Sequence, residues 1–305
     1  MPCYFPLKGF YGKVAGASGK RPIVFKETQA DRDGIDCPIR IPCGRCVGCK
    51  LERSRQWAIR CMHEKQMHQD SSFLTLTYSD EFLPSDRSLS KRDLQLFMKR
   101  LRKARGDGIR FFACGEYGEV TNRPHYHVLL FNCSFPDQSF YKDGKTGGPL
   151  YTSKAVDRLW PFGGNVIGSV TFDSCAYVAR YILDKRSGPQ FADWYEWVDD
   201  CGEVHSLEPE FLVMSRRPGI GLAWFKKFGA HAFEWDSVIM NGKEIRPPRY
   251  YDSKFELLDP DRMVDIKELR REKAKQFDPA DATPDRRRVR EQVEIAKLSR
   301  FKRDT

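Results

Sequence analysis

The chain has 305 residues, 40% of them hydrophobic and 31% charged, with a formal charge of +10. That balance excludes a disordered polar tail and a membrane-embedded bundle; it fits a globular protein whose positive field favours a polyanionic partner. The first residues lack the basic start and apolar run of a signal peptide, and no run of about 20 apolar residues is present to span a bilayer, so a cytoplasmic, non-membrane protein is expected.

Residues up to about Ile41 carry scattered Gly and Pro and are expected to form loops and short strands. Cys43-x2-Cys46-x2-Cys49 follows, a spacing that suits a metal better than an extracellular disulfide scaffold. A structural Zn²⁺ there needs a fourth thiolate, for which Cys37, Cys61 and the remote Cys3 are candidates. From Lys50 to about His68 the pattern fits a helix made basic by Arg53, Arg55 and Arg60.

Phe73 to Tyr78 reads as a strand. Ser90 is the expected N-cap of a helix that buries Leu94, Phe97, Met98 and Leu101. Ile109–Cys114 and His125–Asn132 read as antiparallel strands joined by a loop from Gly115 to Pro124. A polar insertion from Asp137 to Pro149 precedes a helix from Ser153 to Leu159, a strand from Val166 to Phe172 and a helix from Ser174 to Leu183. Beyond Lys185, aromatic and Gly/Pro-rich segments carry no assignable activity, and two charged helices, about Pro260–Gln276 and Asp285–Phe301, close the chain. The expected class is α+β: a central antiparallel sheet with packed helices, a cysteine-rich N-terminal segment and a helical C-terminal extension. The expected division is 1–67, 68–190 and 191–305.

The chemistry concentrates in two short stretches. In Arg123-Pro124-His125-Tyr126-His127, strand alternation points both imidazoles to one face and Tyr126 to the other. Glu116, at the end of the partner strand, is the expected third ligand, with Glu119 as fallback; two imidazoles and a carboxylate suit Mg²⁺ or Mn²⁺ with open positions for phosphate oxygens. Tyr177 and Tyr181 are four apart and share a helix face, and Lys185 continues it. A metal platform beside a tyrosine nucleophile suits phosphodiester cleavage through a phosphotyrosine. Lys185 is expected to orient the phosphate, which favours Tyr181 for the first cut.

These segments, with Pro42 to Cys49 and the Phe73–Tyr78 strand, resemble in content and order the replication initiators of the microvirus family, especially its gokushovirus branch. These are rolling-circle endonucleases of the His-hydrophobic-His superfamily. The resemblance covers about residues 37 to 190 and implies a sheet of about five strands, Glu116, His125 and His127 as metal ligands, and Tyr177 and Tyr181 as paired nucleophiles. It implies an enzyme that nicks and joins single-stranded DNA at a viral origin in a bacterial host cytoplasm, with host polymerase and helicase as partners. A monomeric catalytic unit is expected. Thr75 and Thr77 are expected to position DNA. Two other readings stand beside it: a nuclease of plasmid replication, mobilisation or transposition, and a noncatalytic zinc-containing nucleic-acid-binding protein.

Overall fold

Val128 to Phe131 is apolar at every position, so the strand that contains it must be covered on both faces, and the fold is arranged around that need. A computed structural model describes residues 3–15, 21–32, 35, 38–118, 121–144, 148–184, 194–198, 201–276 and 278–302, without the side chains of 181–184 and 300–302. In chain order the elements are β1 (Leu7–Tyr11), β2 (Ile23–Val24), β3 (Ile39–Ile41), α1 (Val47–Lys65), β4 (Ser71–Thr77), α2 (Lys91–Arg105), β5 (Arg110–Tyr117) and β6 (Pro124–Phe131). They continue with β7 (Gln138–Asp143), β8 (Pro149–Ser153), α3 (Lys154–Leu159), β9 (Asn165–Gly168), α4 (Phe172–Asp184), β10 (Glu196–Val198), β11 (Val204–Ser206) and β12 (Phe211–Met214). The last are α5 (Leu222–Glu234), β13 (Val238–Met240), β14 (Lys243–Ile245), α6 (Arg249–Phe255), α7 (Pro260–Lys275) and α8 (Pro284–Lys302).

The chain divides into two packed units, one of residues 1–53 with 269–305 and one of residues 54–268. In the first, β1 pairs antiparallel with β2 and β3. The second holds a seven-stranded sheet in the order β12-β5-β6-β4-β9-β8-β7, antiparallel throughout, as the α+β expectation required.

Alternation along β6 sorts its side chains. Tyr126, Val128 and Leu130 join Leu74 and Leu76 of β4 under Leu94, Phe97 and Leu101 of α2. Leu129 and Phe131 face the other way, against Ala58 and Cys61 of α1 and Cys175, Val178 and Ala179 of α4. Ile59, on another side of α1, packs with Trp224, Phe225 and Phe233 of α5 and Tyr251 of α6. Ser90 caps α2 as expected, accepting the Asp93 N–H at 3.1 Å.

The strand expected over Val166–Phe172 ends at Gly168, before α4 begins at Phe172, and three further segments differ from the sequence expectation. β5 runs on to Tyr117 and β6 begins at Pro124, so the connecting turn shrinks to Gly118–Arg123, closed by a Gly118 N–H to Arg123 carbonyl bond of 3.0 Å. The polar insertion is a hairpin of β7 and β8; these two strands raise the sheet above the five expected. The segment beyond Lys185 supplies β12, which pairs with β5 through Val213 opposite Ala113.

Two polar side chains are sealed beneath α5 and α6. Glu64, 1% exposed, pairs with Arg110 and accepts the Gly221 N–H at 2.6 Å. His63, also 1% exposed, stacks on Trp224 and lies 3.0 Å from the Tyr251 hydroxyl through Nδ1; burial pushes its pKa down to about 3. The unfolded chain therefore binds a proton at His63 that the folded chain refuses between pH 6.5 and 3, and stability falls as pH drops through that window. Lowering pH from 7 to 5 is expected to cost about 2 kcal/mol through this residue, at about 1.4 kcal/mol per unit. Urea unfolding of His63→Gln should show a correspondingly flatter acid-side slope.

Candidate metal centre and tyrosine site

The pairing of β5 with β6 sets Glu116 opposite His125 and Cys114 opposite His127. Both imidazoles and the carboxylate therefore project from the α4 face of the sheet. His125 Nε2 lies 2.7 Å and His127 Nε2 2.8 Å from the same oxygen, Glu116 Oε1. The other ring nitrogens are also held. His125 Nδ1 lies 3.1 Å from the Arg123 carbonyl, and His127 Nδ1 lies 3.0 Å from the hydroxyl of Thr75, its register partner on β4. Partners of this kind fix the ring orientation that leaves the second nitrogen aimed at a metal.

Glu116 is 2% exposed and His127 5%. Burial alone would raise the Glu116 pKa, but hydrogen bonds from both imidazoles outweigh it and hold the carboxyl below its ordinary value. Burial also works against the charged form of His125, yet the Glu116 carboxylate prevails and raises its pKa. At the more deeply buried His127, burial wins and the pKa falls. Glu116 Oε2 is buried with no hydrogen-bond partner among the described residues. A sealed carboxylate with one orphaned oxygen, beside two imidazoles whose ligand atoms all lie within 4.8 Å of one another, fits a divalent cation.

α4 carries the tyrosine to this group. Its start is fixed by a reciprocal pair in which Thr171 Oγ1 accepts the Ser174 N–H at 3.1 Å and Ser174 Oγ accepts the Thr171 N–H at 2.9 Å. Ser54 of α1 donates its hydroxyl to the Ala176 carbonyl at 2.9 Å, one residue before Tyr177, and Lys65 Nζ donates to the Val170 carbonyl at 2.6 Å. The Tyr177 hydroxyl lies 3.4 Å from His127 Nε2 and 3.5 Å from Glu116 Oε1, and the residue is 36% exposed. A buried, cation-seeking floor thus meets a solvent-accessible phenol.

Four of the six site residues expected from sequence, Glu116, His125, His127 and Tyr177, are thereby brought together. Tyr181 lies on α4, with its side chain outside the described residues; Lys185 and Glu119 lie outside them altogether. Thr75 faces His127, a contact visible only once register is known. Thr77 Oγ1 donates to the Gly164 carbonyl at 3.3 Å.

The model of the family described as Replication-associated protein ORF2/G2P matches residues 71–186, a span that contains every one of these groups. The chain is 34% identical over 274 residues to Replication-associated protein VP4 of Bdellovibrio phage phiMH2K, covering 87% of this chain and 80% of that one. It belongs to the phage replication-associated protein family. Within that family it is also 34% identical over 229 residues to Replication-associated protein ORF2 of Spiroplasma virus 4, covering 71% and 68% of the two chains. Replication-associated protein ORF4 of Chlamydia phage 1 is 28% identical over 220 residues, 69% of this chain and 52% of that one. No solved structure matches. The family resemblance carried by the motifs is thus borne out.

A second ligand cluster lies in the other unit of this replication-associated protein. The sulfurs of Cys3, Cys43, Cys46 and Cys49 lie within 4.8 Å of one another. Of the other candidates for a fourth ligand, Cys61 is sealed in the core beside Cys175, and Cys37 lies outside the described residues.

The Thr75 contact yields a sharp expectation. Thr75→Val keeps the shape of β4 but removes the oxygen at His127 Nδ1, and Mn²⁺ affinity measured by calorimetry should fall about 10–100-fold. Thr75→Ser should restore most of it.

Proposed function

We propose that this chain nicks and rejoins single-stranded DNA at a viral replication origin through phosphotyrosine links, starting and ending rolling-circle replication of a phage genome. The observation that carries this reading is the Tyr177 hydroxyl held beside the Glu116, His125 and His127 group in a relative of phage replication-associated proteins. Those three residues would hold Mg²⁺ or Mn²⁺, which when bound supplies a Lewis acid for the scissile phosphate.

The tyrosines carry the exchange. Tyr177 Oη attacks phosphorus, the P–O3′ bond breaks, and the phenolic proton ends, by way of solvent, on the departing O3′. The strand is left with a 5′-phosphate on Tyr177 and a free 3′-OH that a host polymerase extends. When synthesis regenerates the origin, Tyr181 cuts it in the same way; the released 3′-OH attacks the first phosphotyrosine, the bond from phosphorus to the Tyr177 oxygen breaks, and the circle closes. Lys185 is assigned to orient the phosphate. The position of the Tyr177 hydroxyl favours it for the first cut, the reverse of the order that Lys185 suggests.

No Gly-x4-Gly-Lys-Ser/Thr segment is present, so unwinding falls to a host helicase. Among the described residues no helix is long and apolar enough to cross a membrane. In this reading a monomeric catalytic unit works in the bacterial host cytoplasm. Plasmid replication, mobilisation or transposition would use the same chemistry; the phage relatives favour the viral origin. The thiols of Cys43, Cys46 and Cys49 have no step in it, and a Zn²⁺ there belongs to stability.

DNA has a second place to lie. At the start of β5, the end of α2 and the residues after β12 enclose an open cleft of about 730 Å³ lined by Arg102, Arg216 and Arg217 among others. None of the three makes an ion pair among the described residues. Such a cleft suits backbone phosphates. Arg216→Glu with Arg217→Glu should weaken binding of single-stranded origin DNA in fluorescence anisotropy and reduce the slope of log affinity against log salt by about 1.4, since each lost phosphate contact on a single strand removes about 0.7.

Labelled origin DNA incubated with Mg²⁺ or Mn²⁺, then denatured and mapped, tests the chemistry. His125→Ala with His127→Ala should abolish cleavage while leaving most DNA binding. Tyr177→Phe or Tyr181→Phe alone should impair the coupled cycle, and the double variant should form no covalent adduct. A normal adduct yield from the double variant would overturn the mechanism; absence of cleavage across a complete cognate genome would favour a protein that only binds.

A further inference from the structure

Among its described residues, the unit of residues 1–53 and 269–305 has little of a hydrophobic core. Its buried apolar side chains among the described residues are Tyr4, Phe10, Ala30 and Cys46. Other large apolar side chains stay exposed, Phe5, Leu7, Ile23 and Phe25 among them. Among the described residues, no member of the three hydrophobic clusters lies in this unit. Small units with so little core are stabilised by disulfides or a structural metal.

The four cysteines supply the alternative. Tetrahedral zinc with Zn–S bonds of about 2.3 Å sets its sulfurs about 3.8 Å apart, and here the four Sγ atoms fall within 4.8 Å. The sulfurs already accept backbone hydrogen bonds of the kind that stabilise bound thiolates. Cys43 N–H donates to Cys3 Sγ at 3.2 Å, Cys46 N–H to Cys43 Sγ at 3.4 Å, and Tyr4 N–H to Cys46 Sγ at 3.4 Å. Gly44 takes φ +75°, the left-handed turn that folds Cys43 and Cys46 toward one point.

Position in the chain gives the cluster its reach. Cys3 lies 40 residues from Cys43. Cys46 immediately precedes α1, whose Val47 N–H donates to Glu291 of α8 at 3.4 Å. One ion at this point would tie the N-terminal segment to the knuckle that also meets the C-terminal helix.

We propose that Cys3, Cys43, Cys46 and Cys49 bind one structural Zn²⁺ as a closed four-thiolate site, and that this ion, in place of a hydrophobic core, folds the unit of residues 1–53 and 269–305. The site is independent of the Glu116 group and of the nicking chemistry proposed for it. Closed four-coordination leaves no position for substrate, so the ion's contribution is folding free energy.

The full chain, purified under reducing conditions without added metal, tests this by elemental analysis and hydrogen exchange. Near one equivalent of zinc is expected, and it should persist in His125→Ala with His127→Ala, which separates this site from the other. Cys3→Ser should lose the zinc. Stripping zinc from the unmodified chain should raise exchange in residues 1–53 and 269–305 at least about tenfold while β4, β5 and β6 stay protected; this holds the proposal to account even if the variant fails to accumulate. Less than half an equivalent of zinc, a disulfide among the four cysteines, full zinc retention by Cys3→Ser, or unchanged exchange after stripping would each overturn it.

Discussion

A carboxylate sealed between two imidazoles is the constraint around which the unit of residues 54–268 is organised. Glu116 is almost wholly buried, and a carboxylate taken that far from water is stable only when paired and hydrogen-bonded. The pairing comes from the neighbouring strand, so it exists only while β5 and β6 keep register. A slip of one residue would turn both histidines toward α2 and bring Tyr126 to Glu116. The covering of β6 on both faces is what makes that slip expensive. Leu129 and Phe131 must return to α1 and α4, Val128 and Leu130 to α2. The candidate metal centre thus borrows its geometry from the hydrophobic core.

Tyr126 shows how closely the two faces are joined. Its hydroxyl accepts the Ser90 N–H at 2.8 Å and lies 2.9 Å from the Tyr78 hydroxyl, which donates to Asp93 at 2.7 Å. The residue between the two histidines therefore anchors the first turn of α2. A bulky aromatic suits this position because it fills the core while its polar end reaches a helix terminus.

Much of this was legible in sequence, and what was not has physical causes. The histidines, Glu116 and the capped helix at Ser90 rest on local periodicity, which sequence carries directly. Thr75 does not: a threonine on a motif strand has no stated partner until cross-strand register places His127 opposite it. β7 was hidden because Gln138–Asp143 is exposed at every position and leaves no alternation to read. β12 is only Phe211–Met214 and lies among aromatic and Gly/Pro-rich segments, so nothing local marks it as the partner of β5. The fourth cysteine of the thiol cluster was ambiguous for the same reason, since its proximity is a product of the fold.

The anchoring of α4 bears on how, in the proposed cycle, one candidate metal centre would serve two tyrosines. Tyr177 and Tyr181 are separated by four residues of helix, about 6 Å along its axis. Ser54 and Lys65 grip the backbone at Ala176 and Val170, so sliding α4 by a turn would break both bonds at once. In the proposed cycle the travelling part is then the DNA: the second phosphate must step along a stationary helix to meet its tyrosine. Cutting and closing become successive occupancies of one seat.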